Sequence, residues 1–118
     1  MDFPNSKLLD FLDNLDIPKT ELNQRIKQVL AKFIKNPLNY YDELFNLLAQ
    51  NHSGVYYQEL YYFIDFLILL LENSKNNPQR ATALRGLLND YAYFEADNSF
   101  KNTEIDYYLR EKLNKFRD

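Results

Sequence analysis

Apolar residues recur along this chain at three- and four-residue intervals almost from end to end, which is the spacing of one face of a helix. Leu8, Leu9, Phe11, Leu12 and Leu15 form a first stripe, with Asn5 or Ser6 placed to cap it. Ile17-Pro18 should end that helix, because a residue before proline is pushed out of the α region. Leu22, Ile26, Val29, Leu30 and Phe33 continue the spacing to Lys35. Asn36-Pro37 then reads as a cap followed by proline in the first helical position, where its missing N–H costs nothing. Tyr40 or Tyr41, Leu44, Phe45 and Leu48 make the third stripe, and Asn51-His52-Ser53-Gly54 breaks it. A fourth helix is expected over approximately residues 55–73. Asn77-Pro78 repeats the cap-and-proline signal ahead of Ala81, Leu84, Leu87, Leu88, Tyr91 and Phe94. Thr103-Glu104-Ile105-Asp106 resembles a capping box, with Asp in place of Glu or Gln, and opens a last helix through Ile105, Leu109, Leu113 and Phe116.

The expectation is an all-α fold: a compact bundle of about six helices around a central hydrophobic helix, with residues 1–118 as one domain. No segment alternates with period two, so no appreciable strand is expected. The two Asn-Pro steps do not mark a repeat, since aligning them sets Leu44 against Arg85 and Phe45 against Gly86.

The fourth helix carries the most information. Residues 60–71 are apolar or aromatic except for Asp65, yet the run is shorter than the roughly 20 residues of a membrane span. At about 100° per residue, Leu60, Ile64, Leu67 and Leu71 fall together, with Phe63 and Leu70 beside them. Gln58, Asp65 and Glu72 form a narrow polar sector, and next to it lies a second apolar stripe of Val55, Tyr62, Phe66 and Leu69. Two readings of that stripe stay open. It is ordinary core if the other helices wrap this one on all sides. It is a dimer or partner surface if the monomer leaves it exposed.

Composition narrows the function classes. The chain has no cysteine, which removes disulfides, thiolate metal sites and thiol nucleophiles, and fits a cytoplasmic protein. The N-terminus shows no signal-peptide pattern. Net charge is −3, which argues against nucleic acid as a partner. The charge is uneven: residues 1–16 hold four Asp against one Lys, and residues 36–74 hold five acids and no Lys or Arg. Between them, residues 19–35 hold five Lys or Arg against one Glu. The alternative function is therefore a nucleic-acid-associated regulator using Arg25, Lys27, Lys32 and Lys35, joined by Lys112 and Lys115 of the last helix.

Chemistry is sparse. His52 is the only histidine and has no Asp or Glu three or four residues away, so no helical metal pair exists. Arg80, near a helix N-terminus, opposes the dipole and should find an acid elsewhere. Asp42-Glu43 and Glu95/Asp97 are carboxylate clusters without a motif around them, leaving an enzyme with a carboxylate site as a remote alternative. No Gly-rich loop offers to cradle a phosphate, and no catalytic residue, cofactor or metal is assigned. Four Tyr-Tyr doublets supply residues of the kind that populate interfaces. The reading these features favour is a small non-enzymatic cytosolic protein acting through protein–protein contact, as a regulator, adaptor, antitoxin or immunity-type factor, with a protein partner or a second copy and no membrane.

Overall fold

The computed structural model describes all 118 residues. Six helices account for 64% of them: α1 (Asn5–Asp13), α2 (Glu21–Lys35), α3 (Pro37–Leu48), α4 (Leu60–Glu72), α5 (Pro78–Ala92) and α6 (Glu104–Asn114). The all-α bundle expected from the periodicity is thus the architecture, with a radius of gyration of 13.4 Å. Helices α2 and α3 pack as a hairpin, and α3 rests on α5. Helix α4 packs against α1, α5 and α6, so α4 and α5 together occupy the middle. No helix is long and apolar enough to cross a membrane.

The caps explain where the helices begin. Thr20 Oγ1 accepts from the Asn23 amide, and Asn77 Oδ1 accepts from the Arg80 amide, each satisfying a donor that the first turn leaves free. Pro37 and Pro78 occupy the first turns of α3 and α5. At α1 the cap is Pro4, one residue ahead of the expected Asn5 or Ser6, and its carbonyl accepts from Lys7 and Leu8. That helix also stops early. The amide and side chain of Asn14 both donate to the Asp10 carbonyl, which closes the helix before Leu15.

The expectation of no sheet is corrected. Three two-residue strands, β1 (Ala49–Gln50), β2 (Val55–Tyr56) and β3 (Glu95–Ala96), form a small sheet in the order β1-β2-β3. β1 and β2 run antiparallel around the Asn51–Gly54 turn, where Gly54 takes a φ of +65° that favours glycine. β3 pairs in parallel with β2 after the chain has passed through α4 and α5. The sheet explains why α4 starts at Leu60 rather than near Val55: residues 55 and 56 are held in the ladder.

The core gathers one stripe from each helix. Leu60, Ile64 and Leu67 are fully buried as expected, while Leu71 is half-buried at the end of α4. Two charges lie inside. Asp106 accepts from Tyr56 Oη at 3.2 Å, from the Asn102 amide at 2.7 Å, and from Arg110 Nη2 at 2.9 Å. The capping box therefore forms in altered shape. Thr103 Oγ1 accepts from the Asp106 amide, but the shorter Asp reaches back to Asn102 instead of to Thr103. Arg80 is the second buried charge, and it has no carboxylate within ion-pair distance, contrary to expectation. It donates to the Ile34 carbonyl at the end of α2 and to the Asn73 carbonyl at the end of α4. Each helix C-terminus carries roughly half a negative charge, so two of them stand in for the missing acid.

Candidate partner surface

In the linker between α1 and α2, Leu15 and Ile17 are half-buried while Asp16 between them is exposed. On α4, Tyr61 and Asp65 form one row at four-residue spacing, and Tyr62 and Phe66 form the next. Tyr108 of α6 meets the first row, at Tyr61 and at Asp65. These elements enclose a cleft of about 270 Å³ lined by Leu15, Asp16, Ile17, Tyr61, Tyr62, Asp65, Phe66 and Tyr108. That is smaller than the roughly 300–1,000 Å³ of sites that enclose a drug-sized ligand.

Three tyrosines form its rim. The Tyr61 ring stands edge-on to Tyr62 at 5.6 Å between centroids and edge-on to Tyr108 at 5.3 Å, the geometry that aromatic quadrupoles favour. Tyr108 Oη donates to Asp65, and this hydrogen bond to a carboxylate pushes the phenol up to about 12. Lys112 Nζ lies 3.7 Å from Asp65 Oδ1 and 5.3 Å from the centre of the Tyr108 ring. Asp16 takes part in no ion pair.

Of the apolar stripe read from the helical wheel, Tyr62 and Phe66 line this cleft. Phe66 forms its floor, at 3% exposure, and belongs to the core as well. Leu69 is half-buried against the core, beyond the cleft lining. Val55 sits in β2, opposite Gln50 and Glu95. The stripe is therefore not one continuous surface. Leu15, Ile17 and Tyr108 come from other elements, so the wheel of α4 could not supply them, and Tyr61 lies on α4 outside the stripe. Their signals were the tyrosine doublets at 61–62 and 107–108, and the apolar pair flanking Asp16.

Three of the four basic residues have local partners. Arg25 pairs with Glu43 at 2.5 Å, Lys27 donates to the Asp13 carbonyl at 3.2 Å, and Lys32 lies over the Tyr40 ring at 5.6 Å. Lys35 is exposed and unpaired. Lys112 does not join them: α2 packs on α1 and α3, whereas α6 packs on α4 and α5.

His52 is exposed in the β1–β2 turn, and Glu95 pairs with Lys101. Asp97 accepts from the Ser99 amide, which holds its carboxyl below the usual range. No group of three or more His, Asp or Glu side chains is arranged to hold a metal. A second groove of about 480 Å³ runs between α3 and α5, lined by Leu38, Tyr41, Pro78, Gln79, Thr82, Ala83 and Gly86. It carries no charged side chain. Comparison with known protein families, with curated proteins and with solved structures found no match.

Proposed function

We propose that the protein is a small non-enzymatic cytoplasmic binding protein acting through protein–protein contact, as a regulator, adaptor, antitoxin or immunity-type factor, and that the α4–α6 cleft is the surface it uses. One observation carries the reading: three tyrosines and two aliphatic side chains converge on a shaped, accessible cleft. Tyrosine buries apolar area while its hydroxyl stays hydrated, and it loses little rotamer freedom on docking, which is why it concentrates at interface centres. The nucleic-acid reading is weaker here, because three of the four basic side chains on α2 already have partners within the chain.

The test is affinity isolation from the native cell with the wild type and with Tyr61→Lys. Tyr61 is 36% exposed, so the new ammonium faces water and the fold should hold. The expected result is a specific co-purifying protein that is lost with Tyr61→Lys at unchanged melting temperature. Equal recovery by both proteins removes the cleft from the proposal.

A further inference from the structure

We infer that the cleft takes a lysine or arginine side chain from a basic, apolar segment of the partner. This rests on the reading of the cleft as the partner surface and adds the chemistry of what fills it. The cleft joins the two acidic stretches of the chain, since Leu15, Asp16 and Ile17 come from one end and Tyr61 through Phe66 from the other. Its lining holds two carboxylates, Asp16 and Asp65, and no cation. A purely apolar partner would cover Asp16 and leave it dehydrated without a counter-charge, which is costly. A cation relieves that cost and also finds the faces of the tyrosine rings. The chain displays this chemistry beside the cleft: the Lys112 ammonium is placed between the Asp65 carboxylate and the Tyr108 ring. Asp16, which has no ion-pair partner, shares the cleft lining with Tyr61 and Tyr62. Leu15, Ile17 and Phe66 supply the apolar contact for the stem that carries the cation.

The experiment titrates isotope-labelled protein with three blocked pentapeptides, Gly-Leu-X-Leu-Gly, in which X is lysine, glutamate or norleucine, and follows backbone amide shifts. The lysine peptide is expected to move the amides of Asp16, Tyr61, Tyr62, Asp65 and Tyr108. It should bind about fivefold more tightly than the norleucine peptide, the scale of one exposed cation–π contact with one surface ion pair. The glutamate peptide should not bind. The double variant Asp16→Asn, Asp65→Asn, both at exposed positions, should bring the lysine peptide down to the norleucine level. Equal binding of the lysine and norleucine peptides, preference for glutamate, or no shift at these amides with any peptide overturns the inference. If partner capture is nonetheless lost with Tyr61→Lys, the surface stands and only its charge preference falls. If the lysine peptide binds but capture ignores Tyr61→Lys, the cation does not belong to a partner segment, and the inference falls with the surface.

Discussion

Replacing Arg80 by methionine keeps an unbranched apolar stem and removes every donor. In the native protein the guanidinium donates to Ser74 Oγ at 2.6 Å, Asn5 Oδ1 at 3.0 Å, the Ile34 carbonyl at 3.1 Å and the Asn73 carbonyl at 2.6 Å. Ser74 keeps its bond to the Leu70 carbonyl, and Asn5 is exposed and can turn to water. The carbonyls of Ile34 and Asn73 have no other partner in the protein. Each buried acceptor left unpaired costs about 1–3 kcal/mol. Relief of the guanidinium's own dehydration, which already lowers its pKa, offsets part of that. The net loss should be about 3 kcal/mol. With a urea dependence of roughly 2 kcal/mol per molar for a domain of this size, the midpoint should fall by about 1.5 M. Arg85→Met on the exposed side of the same helix is the control and should move stability by no more than about 0.5 kcal/mol. Urea unfolding followed by circular dichroism reads both. A loss below about 0.5 kcal/mol for Arg80→Met, or one equal to the control, would refute the role of Arg80 in tying α2 and α4 together.

Leu67→Ala empties a fully buried site on α4 and should cost about 2–5 kcal/mol in the same assay; under 1 kcal/mol would mean that α4 is not at the centre. Phe66→Asp places an unpaired carboxylate at a buried position and should abolish cooperative melting, whereas Tyr61→Lys should melt like the wild type; a folded Phe66→Asp protein would contradict the packing of the cleft floor. Burial, then the Asp106 charge, raises the Tyr56 phenol from 10.0 to about 12. The folded state therefore holds its proton more tightly than the unfolded one, so this stabilisation is complete below pH 10 and disappears as pH rises to about 12. Tyr56→Phe should flatten that alkaline fall in melting temperature, and parallel slopes for the two proteins would count against the Tyr56–Asp106 contact.

Helix number and type were legible because they rest on local signals. Asn77-Pro78 and Thr103 mark starts through hydrogen bonds made within one turn, and Leu60, Ile64 and Leu67 share a face by spacing alone. The strands were not legible, because two residues cannot display a period and Val55 and Tyr56 are placed by pairing with Glu95 and Ala96 some forty positions later. Arg80 was misread for a related reason. Its own helix end disfavours it, and what compensates are carbonyls of α2 and α4, visible only once three helices converge. The cleft was half legible. The wheel of α4 yields Tyr62 and Phe66, but Tyr108 and the linker residues Leu15 and Ile17 join them through tertiary packing.

The proposal that the tyrosine-rimmed cleft is the partner surface is tested most directly by covalent footprinting of tyrosines, free and in the complex isolated from the native cell. Tyr61, Tyr62 and Tyr108 should lose reactivity on complex formation, while Tyr93, exposed on the far end of α5, should keep it. Unchanged reactivity at Tyr61, Tyr62 and Tyr108, with protection instead at Tyr41 beside Leu38, would place the partner on the α3–α5 groove and contradict the proposal.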